Sequence, residues 1–313
     1  MSNQILGLHH ITAIAGQAQR NYDFYAGTLG LRLVKKTVNF DDPGTYHFYF
    51  GDEQGTPGTI LTFFPWTHVK RGTNGVGMAT EINYSVPPGS FEFWKARFSA
   101  NQITVGQPLE RLGEQLLPFR DPDGLLLNLV VSAKPDGREP WVTANVTKDV
   151  ATRGFHSVVL TVRELDPTAN VLTSIFGYRL LQQEGHVYRF ITDAVAEASM
   201  VDVIVEPNGK PGINAGGTNH HVAFRVKDEN ALMYFREKVL AAGLHITPKI
   251  DRNYFFSLYF REPGGVLFEI ATDNPGFTVD EELEQLGANL KLPAQYESRR
   301  AEILKFLPEL KQQ

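Results

Sequence analysis

Polar and apolar residues alternate along Asn219-His220-His221-Val222-Ala223-Phe224-Arg225-Val226 and again along Leu267-Phe268-Glu269-Ile270, the period-two pattern of half-buried strands. Between them, residues 230–242 read as an amphipathic helix closed by Gly243. The same order, an alternating strand, a helix, then strands ending in an apolar one, recurs along the chain, giving four modules. The first has strand Leu8 to Ile14, a helix over 17–29 with Gly30 as its cap, then strands over 32–40, 46–51 and 59–64. The second has a strand over 79–86, a helix over 90–100, strands from Ile103, and the ending Arg120-Asp121-Pro122-Asp123-Gly124-Leu125. That ending matches Arg261-Glu262-Pro263-Gly264-Gly265-Val266 of the fourth, and both read as hairpin turns. The third has a strand over 154–162, a helix over 166–176 and a last strand over 201–205. The expected division is 1–133 with two βαβββ modules, a Pro- and Gly-containing linker over 134–150, two more modules over 151–278, and a helical tail over 279–313.

A chain of 313 residues suits two domains or a duplication, and 42% hydrophobic with 21% charged residues is ordinary for a globular protein. The net charge of −5 comes without a basic stripe, which disfavours nucleic acid as a partner. No apolar run approaches the ~18 residues that span a bilayer, and the first residues lack a basic and then apolar leader, so the expectation is a cytoplasmic protein without membrane contact. With no Cys, a metal must be held by His, Asp or Glu, which points to hard or borderline divalent ions.

Four such modules, with His on opening strands and Glu on a closing strand, resemble the vicinal oxygen chelate superfamily, which includes glyoxalase I, bleomycin-resistance proteins and extradiol dioxygenases. The segments Gly7-Leu8-His9-His10-Ile11-Thr12, Gly216-Gly217-Thr218-Asn219-His220-His221 and Arg261 to Ile270 are similar to its hydroquinone-cleaving dioxygenases. The resemblance covers about residues 6–278 and implies an α+β fold of two similar domains.

Aligning opening strands puts His10, Glu81, His156 and His221 at one position, and aligning closing strands puts Asn128 opposite Glu269, with Thr62 the nearest counterpart in module one. In such folds the metal lies between facing modules. Pairing one with four collects His10, His221 and Glu269; pairing three with four replaces His10 by His156; pairing two with three collects Glu81, His156 and Asn128. The resemblance favours the first set, and only modules one and four carry a His-His doublet. Two imidazoles and a carboxylate suit Fe(II), with Mn(II) as a second candidate.

Neighbouring strand residues face opposite sides, so His9 and His220 are expected beside the ligands, contacting them or the substrate. Thr12 shares the face of His10 by period two. The resemblance also implies Arg252 and Tyr259, to hold an anionic oxygen and donate a proton. The remaining histidines, His47, His68, His186 and His245, read as structural or surface residues, and Phe63, Phe64 and Trp66 could wall an aromatic pocket. The implied activity is Fe(II)-dependent ring cleavage of a hydroquinone-type diol with O2. The alternatives are a catechol extradiol dioxygenase and a metal-free protein that sequesters aromatic compounds. An even-numbered homo-oligomer is the base-rate expectation.

Overall fold

In the computed structural model, residues 3–132 and 134–312 are described; Met1, Ser2, Ala133 and Gln313, at the edges of the expected segments, lie outside them. Module one supplies strands β1 (Leu8–Ala15), β2 (Arg32–Val38), β3 (Tyr46–Gly51) and β4 (Ile60–Pro65). Module two supplies β5 (Met78–Val86), β6 (Leu109–Arg111), β7 (Glu114–Arg120) and β8 (Leu126–Val131). Module three supplies β9 (Phe155–Val162), β10 (Arg179–Glu184), β11 (Val187–Ile191) and β12 (Met200–Val205). Module four supplies β13 (Thr218–Val226), β14 (Ile250–Asp251), β15 (Phe255–Arg261) and β16 (Leu267–Pro275).

These strands form two curled eight-stranded sheets, ordered β14-β15-β16-β13-β1-β4-β3-β2 and β10-β11-β12-β9-β5-β8-β7-β6. Module one therefore pairs with four and module two with three, through the antiparallel seams β1–β13 and β5–β9. Each sheet takes one module from either half of the chain. The β4–β5 and β12–β13 connections run side by side, bridged at Arg71 and Gly216 and at Thr73 and Ile213.

Alternation sorts the strand residues to two faces. Phe224, Phe260 and Phe268 turn outward onto Phe176 and Phe235, with Phe224 4.7 Å from Phe176 and 4.8 Å from Phe268 between ring centres. Burying a phenylalanine contributes roughly 1.5–3 kcal/mol. This outer cluster, and its counterpart around Trp94, Phe98 and Phe119, holds the helices to the sheets and leaves the inner faces free for polar groups. The matched hairpin turns share one device, a buried carboxylate that accepts turn N–H groups. Asp121 accepts from Asp123 and Leu125 at 2.9 and 2.8 Å, and Glu262 accepts from Gly264 and Val266, both at 2.8 Å.

Two helices depart from regular α geometry. Residues Ala18–Tyr22 continue as a π-helix over Asp23–Thr28, and Leu165–Asn170 continue as one over Val171–Ile175. The tail, expected to be helical, contains only short turns at Phe277–Val279, Leu283–Gln285, Ala294–Glu297 and Arg300–Ile303. Among the described residues no helix is long and apolar enough to cross a membrane.

The inner face of the second sheet is a self-paired charge network. Arg189 donates to both oxygens of Asp202 at 2.7 and 2.9 Å and to Glu114 at 2.5 Å, while His156 Nε2 lies 3.1 Å from Glu114. Burial pushes the Glu114 carboxyl up, but hydrogen bonds and charge from His156 and Arg189 outweigh it and leave it lowered to about 2. Its contribution to stability is complete above the ordinary value of 4.5 and is lost as the pH falls toward 2. Glu114→Gln is expected to cost about 3 kcal/mol near neutral pH, because Arg189 loses a buried partner. The gap between variant and parent should close on acidification, and denaturant melts from pH 7 to 3 check this.

Candidate metal centre

His10, His221 and Glu269 converge in the first sheet. The parallel pairing of β13 with β16 sets Ala223, two residues after His221, opposite Glu269. The β1–β13 seam sets Thr12 opposite His221 and His10 opposite Ala223. One ligand-type atom from each of the three residues lies within 4.8 Å of the others, and all three residues are buried. The edges are 2.8 Å from His221 Nε2 to Glu269 Oε2, 3.2 Å from His10 Nε2 to Oε2, and 3.4 Å between the Nε2 atoms. Octahedral bonds of about 2.1 Å imply facial edges of about 3.0 Å, which this triangle matches.

Two features of the trio fit a cation. Glu269 Oε1 accepts from Ser257 Oγ, but Oε2 is buried without a properly oriented hydrogen bond, although two imidazole nitrogens stand beside it. Burial pushes the Glu269 carboxyl up, and His10 and His221 pull it well below the carboxylate range, so it is ionised. Burial lowers His221, with Glu269 opposing. An anionic oxygen and two imidazole nitrogens gathered at one point form a two-histidine, one-carboxylate set.

The doublets work through β-bulges. On β1 the pairing advances from Leu8 to His10 while β13 advances by one residue, so His9 is the extra residue; on β13, His220 is extra in the same way. Each bulge turns the first histidine of its doublet onto the second, with Nδ1 to Nδ1 distances of 2.9 Å for His9 and His10 and 2.8 Å for His220 and His221. His9 Nε2 lies 3.0 Å from the Thr272 carbonyl, which only accepts, so Nε2 carries the proton. Burial lowers the His9 pKa well below 6.5 and keeps the ring neutral, so its Nδ1 accepts from His10 Nδ1–H. The tautomer left on His10 has its lone pair on Nε2, facing Glu269. In the second doublet, a cation on His221 Nε2 would require His221 Nδ1 to donate to His220 and would leave the His220 proton on Nε2; burial and His221 lower His220, which lines the cavity, to about 4, so it is neutral at pH 7. His9→Phe is expected to weaken metal binding about tenfold to a hundredfold by freeing the His10 tautomer, checked by metal titration against the parent.

A cavity of about 370 Å³ opens onto His10 and His221 of the trio. Phe64, Trp66, Phe40 and Phe255 wall it, together with Thr12, His47, Tyr49, Arg252 and Tyr259. Phe63 is in the core instead, against Tyr25. Arg252 Nε donates to Tyr259 Oη at 3.3 Å, its guanidinium covers the Phe40 ring at 5.6 Å, and Asp41 lies 3.7 Å away. Burial and Glu269 raise the Tyr259 phenol, which keeps its proton.

His156 stands elsewhere. It belongs to the second sheet and its ring pairs with Glu114, so it is no alternative to His10. The register keeps Glu81 in the place of His10 but corrects the alignment of module three: Ser157 takes the place of His221, and His156 is a bulged residue equivalent to His220. Glu81 is tied to Arg111 at 2.9 Å and Asn128 at 2.7 Å. A larger cavity, about 660 Å³, lies beside this network, but the described residues offer no second converging ligand group there. Among the remaining histidines, His68, His186 and His245 are exposed, whereas His47 is buried in the cavity wall with Tyr49. Alternation in Tyr46-His47-Phe48-Tyr49-Phe50 sets both on the face opposite Phe48 and Phe50, a signal that sequence reasoning passed over.

The chain belongs to the glyoxalase/bleomycin resistance protein/dioxygenase superfamily, whose model matches residues 7–129 and 154–270. More particularly, it is 45% identical to MhqO of Bacillus subtilis, provisionally named a ring-cleaving dioxygenase, over 97% of this chain and 96% of that one. It is 35% identical to a chlorohydroquinone/hydroquinone 1,2-dioxygenase of Sphingobium indicum, over 98% and 97% of the two chains. A crystal structure from Bacillus subtilis, provisionally described as a dioxygenase, is 43% identical with a TM-score of 0.94 over 99% of both chains.

Proposed function

We propose that this protein is an Fe(II)-dependent dioxygenase that opens the ring of a small hydroquinone-type diol with O2. The observation that carries the reading is the convergence of His10, His221 and Glu269, the two histidines of which line an aromatic-walled cavity. The names of its relatives support it. His10, His221 and Glu269 would hold Fe(II), which would supply acidification of a bound phenol and activation of dioxygen; Mn(II) is the second candidate.

The protein's own groups have separable roles. His9 holds the His10 tautomer, and Ser257 orients Glu269 through its Oε1. Phe64, Trp66 and Phe255 exclude water from the ring and present it to the trio. Arg252 remains charged, its pKa raised by Tyr259 and Glu269 against the effect of burial, and holds an anionic oxygen. Tyr259 and the His220 Nε2–H offer protons to substrate oxygens within the same cavity.

Anaerobic loading with Fe(II), followed by oxygen-uptake assays, tests this reading. Hydroquinone is expected to consume one O2 per ring opened. Uptake with catechol alone would favour the extradiol reading. No uptake with either diol, at one iron per chain, would leave a protein that binds aromatic compounds without cleaving them.

A further inference from the structure

Module one carries a buried polar chain opposite Glu269. Tyr49 Oη lies 2.9 Å from His47 Nδ1, His47 Nε2 lies 3.0 Å from Thr62 Oγ1, and Thr62 Oγ1 lies 2.8 Å from Thr12 Oγ1. All four residues are buried. Thr62 stands on β4 where Glu269 stands on β16: Thr12, two after His10, pairs with Thr62, as Ala223, two after His221, pairs with Glu269. Module one has a hydroxyl where module four has the carboxylate, and that hydroxyl is hydrogen-bonded into this chain.

The polarity of the chain follows from its inner end. Tyr49 is 1% exposed, and His47 Nδ1 is its hydrogen-bond acceptor among the described residues. Leaving a buried O–H unpaired costs about 1–3 kcal/mol, so Tyr49 donates and Nδ1 holds the lone pair. Burial keeps His47 neutral, which puts its proton on Nε2, donating to Thr62. Thr62 in turn donates to Thr12. The proton of Thr12 is left without a protein acceptor among the described residues, and Thr12 lines the cavity beside His10 and His221.

We infer that Tyr49, His47 and Thr62 are positioning residues that commit the Thr12 hydroxyl as a hydrogen-bond donor to the anionic oxygen of a bound phenolate. The inference deepens the proposed function and rests on its reading of the cavity as a phenol site. A donor here complements the cation and Arg252, both of which favour an oxygen anion. Reversing the chain would make Thr12 an acceptor facing that anion and would leave Tyr49 O–H unpaired. The polarity seen from the inner end is thus the one the ligand needs.

The test is anaerobic titration of the Fe(II)-loaded protein with 4-nitrophenol, whose absorption separates phenol from phenolate. Thr12→Val is expected to weaken phenolate binding on the order of ten- to a hundredfold, the range of a hydrogen bond to a charged group. Thr12→Ser should restore it. Tyr49→Phe, which releases the polarity, should weaken binding severalfold in the parent and not at all in Thr12→Val. Nitrogen-15 NMR of the zinc-substituted parent should report the Nε2–H tautomer of His47. Unchanged phenolate affinity in Thr12→Val at equal metal content, additive effects of the two variants, or an Nδ1–H tautomer would overturn the inference. Because the assay involves no turnover, Thr12-dependent phenolate binding without oxygen uptake would retain the donor while rejecting the dioxygenase reading.

Discussion

Glu269→Gln is expected to lower metal affinity by more than a hundredfold and to abolish oxygen uptake, while the chain still folds. The amide keeps the volume and a contact for Ser257 but removes the negative charge between two imidazoles. Removing a group that merely orients a ligand already costs about ten- to a hundredfold, so losing the anionic ligand itself exceeds that. His10→Ala should behave alike. His156→Ala provides the control: its ring is bound to Glu114 in the other sheet, so metal content should be unchanged and only stability should fall. Elemental analysis beside oxygen uptake reads all three. Metal retained in His10→Ala and lost in His156→Ala would remove the trio from the centre of the chemistry.

Local periodicity goes far in this fold. The strand over residues 218–226 is visible because His221 and Ala223 face the interior of the curl while Val222 and Phe224 face the helices. Periodicity has no term for a seam between segments as distant as β1 and β13, so whether β13 meets β1 or β9 needed information beyond the strands themselves. The π-helical turns at Asp23–Thr28 and Val171–Ile175 were equally hidden, since their apolar spacing also suits an α-helix. In the tail, the charged segment suggested one or two helices broken at Pro293. The segment instead follows the surface of module one, held by Lys36 to Leu290 pairing and by Tyr296 Oη donating to the Phe40 carbonyl at 2.6 Å.

The same distinction divides the site. His10, His221 and Glu269 were picked out because repeated modules mark equivalent positions and the resemblance, with which the paired histidines agree, takes the first histidine from module one. The placing of His156 was off by one residue, because an extra residue in a bulge shifts every later position and appears only in cross-strand register. The bulges also explain how both members of each doublet act at one point, which a regular strand forbids. His47 and Tyr49 were lost for another reason: in an aromatic-rich strand, polar tips facing the cavity look like ordinary half-buried sheet residues.

Lys35→Met is expected to destabilise the protein by about 3–5 kcal/mol, the usual result of stripping one partner from a buried ion pair. Lys35 is fully buried on β2, and its ammonium donates to Asp280 and Glu281 of the tail, both at 2.6 Å, while lying 4.9 Å over the Tyr254 ring. Methionine keeps most of the stem but leaves the Glu281 carboxylate, itself buried, without its cation. Denaturant melts should show the loss, and limited proteolysis should cut first after residue 279. Lys35→Met with Glu281→Leu should regain most of the stability, since the buried charge and its orphan are then removed together. The site should feel the change as well: Tyr254 Oη donates to Asp280 at 3.1 Å, and Tyr254 lies two residues from Arg252 in the cavity wall. A docked tail therefore braces the hairpin that carries the guanidinium, and a raised KM with little change in kcat is expected in Lys35→Met. A variant that melts within 1 kcal/mol of the parent would mean that Asp280 and Glu281 are solvated well enough without the lysine, and that the tail is held by its other contacts, the buried Leu286, Ile303 and Leu307 and the Tyr296 hydrogen bond among them.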